Sequence, residues 1–415
     1  MSPTFKRLNA ALWLLAASAA SFAQTFPSTN DKVPPGWKGP VFKLSQSYPK
    51  TLPQPEALPW DDIDPTSQPE KYVAALYRYA LEGNVEVDWV VADNKTRTWY
   101  HAPWMHYGTS GREFIHGLTR ERSTPAASSP GKGELGPDQK SCAQNWAVGF
   151  FNAPGGYQIG QVWADPKKPN AALAQFPEGT VVAKLLFTAA PVSEVPYLKN
   201  TFEWQGNIHV LPEATCPGSA SQRKPQTVRL LQMDLAVKDK RATETGWVFA
   251  TMAYNGNAPG ATPWDRMLPV GAMWGNEVAT QQWINSTIGT PQHLGFEGRL
   301  NGPVDNPRSS CISCHATAQT PAVSPMIPPT GDTARWFKNY MGTQPFDAGS
   351  VPTDYSLQLA MGIQNLLKAS APAAPAGALK VLEADSLLLK RAFDSGREIP
   401  AQVRINGQLE YPIGR

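Results

Sequence analysis

The amino-acid sequence predicts an α+β fold with a mainly antiparallel β-sheet at its core and helices towards both ends. Three observations support this fold class. Between residues 145 and 254 several apolar or alternating runs are separated by polar turns, as in antiparallel strands. Segments with residues typical of helix starts and helix ends lie on both sides of that region. The chain has 415 residues, 41% of them hydrophobic, which is enough to bury a large core.

The first predicted helix runs from Gln68 to Gly83, QPEKYVAALYRYALEG. Pro69 suits the first turn, Glu70 suits the positive end of the helix dipole, and Gly83 suits the C-terminal cap. The apolar side chains of this segment fall near one face, namely Tyr72, Leu76, Tyr79 and Ala80.

The strand region begins with a predicted β-hairpin, in which NWAVGFFN and YQIGQVWAD flank the turn-like APGG. The apolar run GTVVAKLLFTAA follows as a buried strand. VRLLQMDLAVK then alternates, so that Leu231 and Met233 face one side of the sheet and Gln232 and Asp234 face the other. GWVFATMAYNG is predicted to be the next strand.

The C-terminal part of the chain is predicted to be helical. Asp332 is expected to cap TARWFKNYMG, and Asp354 is expected to cap YSLQLAMGIQNLLK. A further helix, LKVLEADSLLLKRAFD, follows the small-residue linker SAPAAPAG.

The N-terminus has the features of a secretory signal peptide. Lys6 and Arg7 precede a short apolar run, and Ser21-Phe22-Ala23 is a small-x-small cleavage site. We therefore expect a signal peptide at 1–23 and a periplasmic or secreted protein. No later apolar run is long enough to span a membrane. The net charge of +3, without long charged runs, does not suggest a nucleic-acid partner.

The predicted organisation has four regions. The signal peptide (1–23) is followed by a loop and helix region (24–137), the antiparallel sheet region (138–300), and a C-terminal region (301–415) that contains the motif described next.

Cys311-Ile312-Ser313-Cys314-His315 form a C-x-x-C-H motif. This spacing is the signature of covalent haem c attachment, in which Cys311 and Cys314 bind the vinyl groups and His315 is the proximal iron ligand. An exported protein agrees with this chemistry, because haem c is attached outside the cytoplasm. The expected cofactor is therefore one covalent haem c, held between the sheet and the C-terminal helices.

Two other interpretations of the motif stay open. A thioredoxin-like dithiol would need a preceding strand in a βαβ unit, whereas the preceding segment, NGPVDNPRSS, is typical of a loop. A zinc knuckle would need a second Cys/His pair at metal spacing, and none follows the motif.

The second axial position of the iron decides between electron transfer and chemistry at an open site. The candidates for a distal ligand or pocket residue are Met326, Met341, Met361, His101, His106 and Lys184. Lys184 is unusual because its neighbours on the same strand face, Val182 and Leu186, are apolar. It either reaches water at a strand edge, forms an ion pair, or loses its charge. Arg299 and Arg308 lie near the motif in sequence and are candidate partners of the haem propionates.

The other two cysteines, Cys142 and Cys216, are expected to form a disulfide, because an oxidising compartment favours pairing. Two separate buried thiols are the alternative.

The order of FPEGTVVAKLLF, LLQMDLAVKD, GWVFATMAYNG and the C-x-x-C-H motif resembles a known haem c family. That family comprises the lysine-crosslinked hydroxylamine-oxidising cytochromes and the beta-type cytochromes c-prime. The resemblance covers roughly residues 145–318. It implies an antiparallel sheet, a haem near the C-terminus, an open distal side, and Lys184 as the position for a haem crosslink.

The chain departs from that family in its additional N-terminal region, in about a hundred residues after the motif, and in TPWDRMLPVGAMWGN. The whole chain is also similar to a group of exported mono-haem bacterial proteins.

Three functional hypotheses follow. The first is an exported mono-haem c-type cytochrome that transfers electrons to a redox partner protein. The second is an enzyme or sensor that acts on hydroxylamine, NO or peroxide at an open iron. The third is a haem subunit of a larger redox complex. The sequence leaves open whether the protein is an enzyme.

Overall fold

The structure is a computed structural model that describes residues 25–29, 31–126, 133–210, 222–288, 294–331, 333–371, 403–405 and 408–410. The predicted signal peptide, Cys216, Asp332 and the helix expected at 379–394 lie outside these residues.

The described chain contains four α-helices and twelve short to long strands. The α-helices are α1 (Pro69–Leu81), α2 (Ala153–Val162), α3 (Cys311–His315) and α4 (Leu357–Ser370). The strands are β1 (Thr119–Arg120), β2 (Asn145–Phe151), β3 (Val181–Thr188), β4 (Glu203–His209), β5 (Arg223–Lys238), β6 (Trp247–Tyr254), β7 (Met267–Met273), β8 (Gln282–Ile284), β9 (Gln319–Thr320), β10 (Val351–Pro352), β11 (Val403–Ile405) and β12 (Gln408–Glu410). Short 3₁₀ helices lie at Val91–Asp93, Ala171–Leu173, Pro196–Leu198, Trp264–Arg266, Phe296–Gly298 and Ala334–Phe337.

Eight strands form one sheet in the order β1-β2-β3-β5-β6-β7-β8, and β4 pairs with the N-terminal half of β5. All of these pairings are antiparallel. The predicted α+β class with a mainly antiparallel sheet is therefore confirmed. The interior strands have long apolar runs, because both of their faces are buried.

The predicted hairpin around APGG is wrong. The segment after β2 forms α2, and β2 pairs with β3 instead, with Asn145 opposite Thr188. Asn152 accepts a hydrogen bond from the Gly155 amide, and a proline lies in the first turn of α2. An asparagine cap followed by proline starts a helix, and in this segment it overrides the turn-like composition of APGG.

One face of the sheet packs against the N-terminal region. Val148, Phe150, Leu185 and Met233 share a core with α1 on this face. The four residues predicted to form the apolar face of α1 are all buried, namely Tyr72, Leu76, Tyr79 and Ala80.

The opposite face of the sheet packs against the C-terminal segment. Phe151, Phe249 and Met273 share a second core with Ile312 of α3 and Leu359 of α4. The sheet is thus a middle layer, and the C-x-x-C-H motif lies on its second face.

The C-terminal segment differs from the prediction in two places. Ser356, and not Asp354, caps α4, since its hydroxyl accepts a hydrogen bond from the Leu359 amide. The expected helix TARWFKNYMG is reduced to the single 3₁₀ turn Ala334–Phe337, whose flanking Thr333 makes no side-chain cap. Among the described helices, none is both long enough and apolar enough to cross a membrane.

Candidate functional site

The C-x-x-C-H motif forms α3, a helix of five residues. Its start is fixed by a capping box between two serines. The Ser310 hydroxyl accepts a hydrogen bond from the Ser313 amide at 3.0 Å, and the Ser313 hydroxyl accepts one from the Ser310 amide at 2.7 Å. The local sequence therefore supplies the cap that lets so short a helix form.

The contacts of α3 hold it on the second face of the sheet. Ile312 is fully buried in the second core, and the Cys311 amide donates a hydrogen bond to the Leu300 carbonyl. The sulfur of Cys311 lies 3.9 Å from the Thr251 hydroxyl of β6. Both motif cysteines are free thiols.

A small antiparallel ladder brings Tyr355 to His315. In this ladder β9 pairs with β10, with Thr320 opposite Val351, and the Thr353 amide donates to the Ala318 carbonyl. Beyond the end of this ladder, towards the motif, His315 Nδ1 lies 2.8 Å from the Tyr355 carbonyl oxygen.

The Tyr355 contact fixes the tautomer of His315. A carbonyl oxygen can only accept, so Nδ1 carries the proton and the lone pair lies on Nε2. Burial lowers the pKa of His315 to about 4, with a smaller contribution from the charge of Lys184. The imidazole is therefore neutral at pH 7, the state that binds a metal. The Phe249 ring packs at 4.8 Å from the imidazole.

The surroundings of the two thiols raise their pKa values. Burial raises the pKa of Cys311 well above its usual range, and the carboxylates of Asp234 and Asp305 raise it further. Burial also raises the pKa of Cys314 to about 12. Redox dithiols need the opposite shift, because the thiolate is the nucleophile. This environment, and the loop that precedes α3, argue against a thioredoxin-like site.

Lys184 lies on the same face of the sheet as the motif. In β3 it is opposite Gly149 of β2 and Asp234 of β5, so it is on an interior strand and not at an edge. Its ammonium forms an ion pair with Glu121 at 3.0 Å. Burial alone would lower the pKa of Lys184, but the nearby carboxylates raise it above its usual range.

Asp234 belongs to a polar network between Lys184 and the motif. It accepts hydrogen bonds from Gln232 Nε2 at 2.7 Å and from the Thr251 hydroxyl at 3.1 Å. Gln232 Nε2 also donates to Asp305 at 2.9 Å. Burial raises the pKa of Asp234 to about 7, and the charge of Asp305 acts in the same direction, against that of Lys184.

Gln358, in the first turn of α4, lies over Gly149. A Cβ atom at Gly149 would come within 2.0 Å of Gln358 Nε2, so glycine makes room for this amide. Gln358 Oε1 is buried and has no hydrogen-bond partner among the described residues. The sheet face around Lys184 therefore holds a polar amide that the sequence did not single out.

The two candidate histidines lie in a different environment, beside Arg112. His101 is buried and its Nδ1 accepts a hydrogen bond from the Ser45 amide at 3.0 Å. His106 is buried against the Trp104 ring, at 5.0 Å. Burial and the charge of Arg112 lower the pKa values of both histidines. The structure thus brings these histidines together with Arg112, and the His101 ring also packs at 5.4 Å from Phe150 of β2, on the face of the sheet that covers the first core.

The three candidate methionines lie at the protein surface. The exposed fractions are 46% for Met326, 39% for Met341 and 44% for Met361. Each thioether would have to turn inward to reach an iron beside His315.

The two arginines near the motif differ in their burial. Arg299 is buried, forms an ion pair with Glu297 at 3.2 Å, and lies 4.6 Å from the Phe337 ring centre. Arg308 is exposed. The predicted disulfide stays a prediction, because Cys216 lies outside the described residues.

The residues around the motif fit a covalent haem c. Two free thiols, three residues apart on one helical turn, are next to a neutral imidazole whose Nε2 is the free ring nitrogen. Hydrogen bonding of the other ring nitrogen to a carbonyl is the usual arrangement for a metal-binding histidine. Within the described ranges, no group of three His, Cys, Asp or Glu side chains could hold a bare metal ion.

Several residues at the site were not found from the sequence, namely Glu121, Phe249, Asp305, Tyr355 and Gln358. Only the alternation of β5 contained a signal, because it placed Gln232 and Asp234 on one face. The comparisons with known proteins add no family, since no protein-family model, curated protein or solved structure matches the chain.

Proposed function

We propose that this chain is an exported c-type cytochrome with one covalently bound haem. Cys311 and Cys314 would form the thioether bonds, and His315 would bind the iron through Nε2. The haem would supply a one-electron couple between ferric and ferrous iron. The observation that carries this proposal is the 2.8 Å hydrogen bond from His315 Nδ1 to the Tyr355 carbonyl.

This hydrogen bond supports the proposal because it does two things that a haem ligand needs. It holds the imidazole ring in one orientation, and it increases electron donation from Nε2. Phe249 packs against the imidazole ring at 4.8 Å and shields that side of it from water. A histidine with only a packing role would need neither a fixed ring orientation nor increased electron donation from Nε2 next to two free thiols.

We further propose that the protein transfers electrons to or from a redox partner protein in the periplasm or outside the cell. Near the motif Glu121 pairs with the ammonium of Lys184, which leaves the carboxylate of Asp305 and, above about pH 7, that of Asp234 as additional negative charges. Negative charge favours the more positive ferric state, so we expect this cluster to lower the reduction potential.

The test is covalent haem attachment. The full chain is expressed with a cytochrome c maturation system, and haem-dependent peroxidase staining is applied to a denaturing gel. We expect staining of the wild-type protein and much weaker staining of Cys314→Ala, because only the thioether bond of Cys311 can then form.

The matched control is Cys142→Ala/Cys216→Ala, which makes the same replacement at both cysteines outside the motif and leaves no unpaired thiol there. It should keep the haem content of the folded protein. Equal staining of wild type and Cys314→Ala, or no staining of the wild-type protein, would contradict the proposal.

A second candidate function is chemistry or sensing at an open iron. Two observations favour it. The candidate methionines are exposed, and Lys184 and Gln358 place a cation and an amide on the face that carries the motif. Such groups can hydrogen-bond a small ligand such as hydroxylamine, NO or peroxide.

The visible spectrum of the ferrous protein with and without CO separates the two functions. A large spectral shift on CO addition indicates an open iron and favours the enzyme or sensor. An unchanged low-spin spectrum indicates two bound axial ligands and favours the electron carrier.

A further inference from the structure

Asp354 is buried, with 1% of its surface exposed, and it binds three separate parts of the fold. Its Oδ1 accepts hydrogen bonds from Lys238 Nζ and from Trp247 Nε1, each at 2.8 Å. Its Oδ2 accepts a hydrogen bond from the Phe176 amide, also at 2.8 Å. These donors come from the end of β5, the start of β6 and the segment before β3. The carboxylate therefore ties the C-terminal segment to the sheet.

The backbone at this point is unusual. Asp354 has a φ of 46° and Tyr355 a φ of 64°, so two successive residues other than glycine are in the left-handed region. This region is unfavourable for a bulky side chain such as tyrosine. Such a conformation persists when surrounding contacts enforce it, and it is found most often at functional sites. At this turn such contacts come from the Asp354 carboxylate and from the Tyr355 hydroxyl.

The turn has a direct consequence for the motif, because it presents the Tyr355 carbonyl to His315 Nδ1 at 2.8 Å. The Tyr355 hydroxyl donates to the Tyr340 carbonyl, which fixes the side-chain end of the same residue. The sequence predicted that Asp354 caps α4, but Ser356 is the cap residue.

We propose that Asp354 is a positioning residue for the haem ligand. Through the strained turn and the Tyr355 carbonyl, it sets the orientation of His315 and its electron donation to the iron. This inference rests on the proposed haem c function. It assigns a role to Lys238 and Trp247 as well, because they hold the carboxylate in place.

The alternative is that Asp354 only stabilises the C-terminal segment, or only contributes its negative charge. Charge can be separated from positioning by the choice of variants. Asp354→Asn removes a negative charge, Lys238→Met removes a positive charge, and Trp247→Phe changes no charge. Asparagine also tolerates the left-handed region, so the first variant does not add backbone strain.

The first readout is the midpoint reduction potential of the purified holoprotein. A weaker hydrogen bond to Nδ1 makes His315 a poorer donor, which destabilises ferric iron. We expect all three variants to raise the potential. A charge effect alone would raise it in Asp354→Asn, lower it in Lys238→Met and leave it unchanged in Trp247→Phe.

The second readout is solvent exchange of the His315 Nδ1 proton, followed by NMR of the ferric protein. We expect exchange about tenfold faster in Asp354→Asn than in wild type. Asp239→Asn is the matched control. Asp239 is also buried and also binds a cation and an aromatic side chain, Arg241 and Tyr72, but on the other face of the sheet. It should change neither readout.

The outcomes are separable. Wild-type protein without covalent haem overturns the proposed function itself. Covalent haem, with unchanged exchange and potentials that follow only the sign of the charge, overturns the positioning role and leaves the function intact. If Asp354→Asn does not fold, the charge-neutral Trp247→Phe decides: a raised potential and faster exchange support the role, and wild-type values overturn it.

Discussion

At the scale of single residues, the charge and the partner of Lys184 depend on residues outside its own strand. Its apolar neighbours along β3 left three possibilities open, namely an edge position, an ion pair or a lost charge. The structure selects the ion pair, because Glu121 reaches it from the far side of β2 at 3.0 Å and Asp234 lies opposite it on β5. Cross-strand partners cannot be obtained from the sequence of one strand.

Asp234 should make stability depend on pH. The pKa of its carboxyl is raised from 3.8 to about 7 by burial and by Asp305. Between about pH 4 and pH 7 the folded state keeps a proton that the unfolded chain has released, so stability falls as the pH rises through this window. Asp234→Asn should remove that fall, which is on the order of 4 kcal/mol. Urea unfolding at several pH values measures it.

The control for this prediction is Asp239→Asn, which should leave the slope between about pH 4 and pH 7 unchanged and should act only at lower pH, with the opposite sign. The pKa of Asp239 is below its usual range, despite burial, because Arg241 and Tyr72 donate hydrogen bonds to it. Its contribution to stability is present above the unfolded pKa and is lost as the pH falls. Identical slopes in wild type and Asp234→Asn would show that Asp234 is ionised throughout this range.

At the scale of elements, the sequence predicted only one of the helices α3 and α4. The spacing of the motif in α3 was recognised, but its helix was not predicted, although the two capping serines are local. The limits of α4 were nearly correct, but its cap was assigned to Asp354. That carboxylate is used instead by Lys238, Trp247 and Phe176, which are more than a hundred residues away.

The packing of α4 on the sheet depends on the absence of a side chain at Gly149. Gly149→Ala would place its Cβ within 2.0 Å of Gln358 Nε2, so the amide must move. We expect a loss of about 1–3 kcal/mol in unfolding free energy. The double variant Gly149→Ala/Gln358→Ala should recover part of the loss.

Chemical denaturation of the two single variants and the double variant gives the coupling energy between these positions. Additive effects would mean that Gly149 and Gln358 do not restrict each other. Gln358→Ala alone is the control for loss of the amide itself.

At the scale of the whole molecule, the sheet is covered on both faces. The N-terminal region covers one face and the C-terminal segment with the motif covers the other. The polar side of β5, with Gln232 and Asp234, is therefore not a solvent-facing side. It lies under the motif, where the charge of Asp234 contributes to the raised pKa of Cys311.

The predicted disulfide would connect two parts of the sheet region that are distant in sequence. Cys142 lies shortly before β2, and Cys216 lies between β4 and β5. The Gln144 side chain donates to the His209 carbonyl at the end of β4, which brings the two regions close together. We expect non-reducing mass spectrometry to find Cys142 joined to Cys216, with a contribution of about 4 kcal/mol.

Reduction should then lower the denaturation midpoint of the wild-type protein and leave Cys142→Ala/Cys216→Ala unchanged. Two thiols at these positions that react with an alkylating agent, without reductant, would refute the pair.

The sequence by itself determined the features whose physical cause is local. These are the strands β3, β5 and β6, the helix α1, and the capped C-x-x-C-H helix, since each depends on periodicity, caps or spacing within a few residues. Only the tertiary structure decided that the Tyr355 carbonyl contacts His315, that Asp354 binds Lys238 and Trp247, and that Lys184 faces carboxylates. These contacts join residues 40 to more than a hundred positions apart, and they depend on strand register and on which layer covers each face of the sheet.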